Sequence, residues 1–269
     1  MKVGFPIECK LQRWRNRLPW LMTFDSLLLL AQHQPQGSGL PIGYFAIIGV
    51  SMLLSFLVGG MLKKRFSEYS RIPISMTGAE IAEAMLRQNG IRDVQVISVP
   101  GQLTDHYDPV KKTVNLSEPV YHMNTVAAAA VAAHECGHAV QHQQAYAWLG
   151  FRSKMVPAVQ IASTIQQYLM MGAVLGLATM GSATMLWVWA AVFGVTALFA
   201  VVTLPVEFDA SKRALVWLER SGIANQMEHG RAKNALFWAA MTYVVGAIGA
   251  IAQALYFIML IMGQRNDER

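Results

Sequence analysis

Residues 41–62 run without one charged side chain and stop abruptly at Lys63-Lys64-Arg65. An α-helix rises about 1.5 Å per residue, so about 20 apolar residues cross the hydrocarbon core of a bilayer. This stretch meets that requirement, and three more do so further on: 156–180, 182–204 and 235–262. The second and third follow each other with little more than Gly181 between them. A chain with four such segments is expected to be a mostly α, multi-pass membrane protein. Composition agrees, with 54% hydrophobic and only 14% charged residues, against about a quarter charged in soluble domains. Gln160, Gln166 and Gln167 in the second segment turn one of its faces toward protein rather than lipid.

Four spans put segments 63–155 and 205–234 on one side of the membrane. Both are basic near its surface, through Lys63, Lys64, Arg65, Arg71, Arg152, Lys154, Lys212, Arg213, Arg220, Arg231 and Lys233, whereas the Gly181 turn has no charge. The positive-inside rule makes that shared side cytoplasmic, and the plasma membrane is the expected location. Residues 1–40 stay unassigned: Lys10, Arg13, Arg15 and Arg17 would then lie outside, and the apolar run 18–31 contains Asp25 and is too short to cross. Residues 263–269 form a short tail. The net charge of +6 belongs to these membrane flanks. No basic run interleaved with aromatics occurs in a polar domain, which argues against nucleic acid. Two cysteines, Cys9 and Cys136, imply no disulfide framework.

The polar segment 63–155 reads as a small α/β unit. Thr77-Gly78-Ala79-Glu80 is a capping box, so a helix starts there, and Gly90 stands where it should end. Residues 94–99 alternate like a strand. An extended pair follows, 102–107 and 112–117, joined by a turn at Asp108-Pro109. Short antiparallel strands are expected, then an alanine-rich helix over 125–142.

That helix carries His134-Glu135-Cys136-Gly137-His138. Histidines four apart project from one face about a turn apart, a spacing that lets two ring nitrogens reach one zinc ion. Glu135 follows the first of them, angled toward a water on the metal, and Gly137 leaves room for a close approach to the helix. On an alanine-rich helix without other charges, these three polar groups would be costly to bury unless paired or ligated. Cys136 faces away and reads as a small buried residue. Catalytic zinc keeps three protein ligands and an open position, so a third ligand must come from elsewhere on the same side. Glu207, just past Pro205 at the end of the third span, is the leading candidate, with Asp209, Glu228 and His229 as rivals. Eight positions of helix rotate His142 off the ligand face, which suits it to a supporting or interfacial role.

The blocks His134-Glu135-x-Gly137-His138-Ala139-x-Gln141-His142, Leu103-Thr104-Asp105-His106-Tyr107-Asp108-Pro109, Leu116-Ser117-Glu118-Pro119-Val120-Tyr121 and Leu204-Pro205-Val206-Glu207-Phe208-Asp209-Ala210-Ser211, with Arg213-Ala214, stand in this order. Over about 42–262 they resemble the YugP-like neutral zinc metallopeptidases and, more distantly, the HtpX-type and CAAX-prenyl-protease zincins. The resemblance implies a zincin-like catalytic unit holding one zinc per chain, with Glu207 as the third ligand. The aspartate those distant relatives carry four residues later is Ser211 here, so the support behind the ligands must differ.

These readings together lead to a zinc metalloendopeptidase with His134, His138 and Glu207 on the metal and Glu135 as general base. By residue type, His106, Tyr121 and Arg213 are candidates to stabilise the oxyanion, and His142 and Asp209 to support the ligands. Its partners would be the bilayer and a peptide or protein substrate, membrane proteins among them. The strand 112–117 could offer that substrate an edge. The alternative is a zinc-stabilised, non-catalytic membrane scaffold or assembly factor. A transporter would need ionisable residues within the spans, and they offer glutamines and no charges.

Overall fold

A computed structural model describes residues 42–174 and 182–267. In chain order its elements are α1 (Ile42–Tyr69), α2 (Gly78–Gln88), β1 (Gln95–Val99), β2 (His106–Asp108), β3 (Thr113–Ser117), α3 (Glu118–His122), α4 (Val126–Gln143), α5 (Ala147–Val174), α6 (Ala183–Ser221) and α7 (Gln226–Asp267). Three described helices are long and apolar enough to cross a membrane, over Gly43–Tyr69, Ala183–Ser221 and Gln226–Gln264. The expected second span, 156–180, falls on α5. Its last residues and the Gly181 turn lie outside the described residues, as does the extension 1–40.

Helices α6 and α7, of 39 and 42 residues, are about 58 and 63 Å long at 1.5 Å per residue. That exceeds the bilayer core, so each is long enough to cross and then continue into the polar unit, α6 doing so through Pro205. Helix α6 starts at Ser182, whose side chain accepts the Met185 amide, and stops at Gly222, which takes a left-handed φ of 68°. Two cores form along the two helices. In the membrane, Trp189 and Phe193 of α6 stack with Phe257 of α7 at centroid separations of 5.4–5.7 Å, against Tyr44 of α1. In the polar unit, α2, β3 and α4 pack on the far ends of α6 and α7 through Ile81, Met85, Leu116, Ala214, Leu218 and Leu236.

The sheet is mixed, in the order β1-β3-β2. Strand β3 pairs antiparallel with β2 across the Asp108 turn but parallel with β1, where antiparallel strands alone were expected. Every residue of β3 is buried, whereas β1 and β2 are part-exposed. The strand with no solvent-facing side therefore takes the centre, and the half-wet strands become edges. For the same reason β3 has no free edge for a substrate: it is paired on both sides, and only β1 and β2 remain open. Helix α2 forms with the expected capping box between Thr77 and Glu80.

Candidate metal centre

Helix α4 is built to be buried. Thr125 caps it by accepting the Ala128 amide, and its alanines are small enough to let helices approach closely. The closest approach is at Gly137, where a Cβ would stand 2.6 Å from the Ala210 carbonyl oxygen of α6. Only a residue without a side chain permits that spacing. It brings His134 and His138 against Glu207 one turn earlier on α6. Their ligand atoms all lie within 4.8 Å of one another. Glu207 Oε2 is 3.3 Å from His134 Nε2 and 3.8 Å from His138 Nε2.

The polar partners behind these three groups orient them. Gln141 donates through Nε2 to the Val206 carbonyl and to Asp209 Oδ2, both at 2.8 Å. Both partners are pure acceptors, so the amide oxygen must face His138, whose Nδ1 lies 3.0 Å away. Nδ1 of neutral His138 is therefore the protonated nitrogen, and a bare Nε2 lone pair faces Glu207. Ser211 Oγ lies 3.1 Å from His134 Nδ1, in the place of the aspartate expected from the distant relatives. Arg152 of α5 donates to Glu207 Oε1 at 3.0 Å. The carboxylate is thus divided, with Oε1 on the guanidinium and Oε2 toward the imidazoles.

Glu207 Oε2 is buried without a hydrogen-bond partner. A lone-pair-bearing oxygen facing a bare nitrogen is unfavourable unless a proton or a cation sits between them. Burial opposes the charging of His138, but the nearby Glu207 and Glu135 carboxylates and Gln141 prevail and raise its pKa. Two imidazoles and one carboxylate are the donor set of catalytic zinc sites, and an orphaned buried oxygen among them fits a cation. Cys136 takes no part: burial pushes its thiol far up, and it contacts the Ala82 carbonyl.

The other expected site residues are placed as follows. Glu135 is buried next to His134 and interacts electrostatically with His138. Asp209 and Arg213 form an ion pair one step behind His138. Arg213 also bonds Gln144 at 2.6 Å and lies over the Tyr146 ring, tying the end of α4 to α6. His142 is hydrogen-bonded at 2.8 Å to Tyr107 of β2. His106 is exposed and bonded to the Thr104 carbonyl, and Tyr121 packs on His122. The rival ligands are used elsewhere, Glu228 in capping α7 through Asn225 and His229 on the Leu215 carbonyl. Gln141, Arg152 and Tyr243 were not anticipated as functional. Tyr243 of α7 lies within electrostatic reach of Glu207, Arg152 and Glu135. Gln141 could have been found, since it stands three residues after His138 on the same helical face.

Fold and site together define a class: a multi-pass helical membrane protein with a small mixed sheet and a His-His-Glu group of zinc-binding composition. The chain belongs to the family described as "Putative neutral zinc metallopeptidase", whose model matches residues 44–262. It is 39% identical over 216 residues, 80% of this chain and 94% of the relative, to the "Putative membrane protease YugP" of Bacillus subtilis (strain 168). No solved structure matches.

Proposed function

We propose that the chain is a zinc-dependent endopeptidase that works at the cytoplasmic face of the plasma membrane, with one zinc per chain held by His134, His138 and Glu207. The observation that carries this reading is the buried, unpartnered Glu207 Oε2 facing two imidazole nitrogens. Zinc bound there would supply Lewis acidity and bring an attacking water within reach of neutral pH. Glu135 would serve as general base, taking a proton from the attacking water and passing it to the departing amine. Gln141 and Ser211 hold the imidazoles, and Arg152 holds Glu207 Oε1, which would leave Oε2 for the metal. Tyr243, within electrostatic reach of Glu207 and Glu135, joins His106, Tyr121 and Arg213 as a candidate to donate to the developing oxyanion. The free edge of β2, next to α4, offers main-chain pairing to an extended substrate.

The test compares wild type with Glu135→Gln in detergent, measuring zinc per chain and cleavage of unfolded casein. About one zinc in both with cleavage only by wild type is expected. A wild type that holds no zinc sinks the reading, and zinc without cleavage of any substrate favours the scaffold.

A further inference from the structure

The membrane helices leave a second, part-polar site between them. It is an open-sided cavity of about 260 Å³, lined by Ser51 and the exposed Ser55 of α1, Gln166 of α5, Thr196 of α6, and Gly246 and Gln253 of α7. These are segments without a charged residue, where a hydrogen-bonding side chain is costly unless something satisfies it. Ser51, Ser55 and Gln166 have no side-chain hydrogen bond to another described residue. Among the described residues, Gln253 receives only the Tyr44 hydroxyl on its Oε1, at 3.5 Å. A Cβ at Gly246 would meet nothing within 4 Å, so its absence widens the cavity.

Helical periodicity aligns this cavity with the metal group. On α6, Thr196 precedes Glu207 by eleven residues, about 16 Å along the axis and about 20° around it. On α5, Gln166 follows Arg152 by fourteen residues, about 21 Å and within about 40°. On α7, Ala250, which also lines the cavity, follows Tyr243 by seven, about 10 Å and within about 20°. All three helices thus turn toward the cavity the same stripe that they turn toward the metal group.

We propose that the cavity binds the membrane-embedded part of a substrate, an unwound and uncharged transmembrane stretch. Its free amide N–H and C=O groups pair with Ser51, Ser55, Gln166 and Gln253 while the scissile bond lies at the metal group. The lining offers donors and acceptors together and no charge, which matches peptide amides. Phe193, Val245 and Ala250 beside them give apolar contact to the side chains of such a stretch, and an ionised headgroup finds no counter-charge there. At about 3.3 Å per extended residue, 16 Å places the bound stretch about five residues from the scissile bond. The inference rests on the peptidase reading and adds the substrate class to it.

The test uses zinc-loaded Glu135→Gln protein in nanodiscs with a single-span peptide containing a Ser-Asn-Gly stretch and a diazirine group within it. Cross-links are expected on residues 246–253 and near Gln166, reduced at least tenfold by Gly246→Leu or by excess unlabelled peptide. A diazirine lipid that labels the same residues and is not displaced by the peptide overturns the proposal, as do peptide cross-links confined to other faces. In the cleaving enzyme, Gly246→Leu and Gln166→Leu should each slow cleavage of the spanning peptide at least tenfold more than cleavage of casein. Equal effects on both substrates, with zinc content unchanged, also overturn it. If wild type cleaves neither substrate while the peptide still cross-links into the cavity, the peptidase reading fails and the binding site stands.

Discussion

Gln141 carries neither charge nor metal, yet it sets which nitrogen of His138 is free. Its amide is locked by two acceptors, the Val206 carbonyl and Asp209. Replacing it by leucine keeps the volume and removes the lock, so the imidazole is free to rotate or change tautomer. Gln141→Leu should weaken zinc binding by about 10–100-fold, measured by competition with a chromophoric chelator. Arg152 acts on the other side, as the hydrogen-bonding partner of Glu207 Oε1. Without a metal it is the cation that offsets a carboxylate only 2% exposed. Arg152→Gln should therefore destabilise the zinc-free protein by about 1–3 kcal/mol, and the zinc-loaded protein by less, because the metal then supplies the compensating charge. Thermal melts of both forms in detergent check the difference, and equal losses would contradict it. The sequence shows Arg152 only as one basic residue in a membrane flank. Its role depends on a partner 55 positions away, which no local pattern reveals.

Helices were legible in this chain because the signals that make them are local: uncharged length, the capping box at Thr77, the four-residue spacing of His134 and His138. The histidine pair was legible for the same reason, whereas Glu207 had Asp209, Glu228 and His229 as rivals until the family resemblance singled it out. The sheet was not, since β1 and β3 pair in parallel across an intervening strand and alternation alone does not state a partner. What joins the elements is often a close approach, and Gly137 is the sharpest case. Gly137→Ala puts a methyl group against the backbone of α6 at Ala210, and the two helices must separate by part of an ångström. Overpacking of this kind costs about 1–3 kcal/mol. The separation falls on the ligand pair, so zinc affinity should drop at least tenfold while helix content by circular dichroism stays the same. At α2, the Thr77 amide and hydroxyl hold the Glu80 carboxyl below its ordinary pKa. A carboxylate whose pKa is lowered on folding stabilises the fold above its unfolded value, and that contribution disappears as pH falls through the folded value. Glu80→Gln should flatten the pH dependence of melting on the acid side of neutrality, and Thr77→Ala should cost about 1 kcal/mol.

For the molecule as a whole, the long helices α6 and α7 fix where chemistry can happen relative to the membrane. Glu207 is the third residue past the expected span 182–204 on the same helix, which would put the metal group at the bilayer surface rather than in its core or far from it. Which surface is decided by charge. The segments that carry the site, 63–155 and 205–234, hold the basic residues nearest the membrane, and the retention of such residues on the cytoplasmic side is what supports the side we propose. Val110, at 90% exposure in the turn between β2 and β3, reports on this without touching the site. Cys136 is buried and Cys9 can be replaced by serine, so a Val110→Cys variant offers one reactive thiol. A membrane-impermeant maleimide should label it in inside-out vesicles and leave it untouched in right-side-out ones. Labelling from the outside instead would move the whole unit across the membrane and make the extracellular ends of membrane proteins its substrates, with the metal group and the cavity beneath it unchanged in their relation to each other.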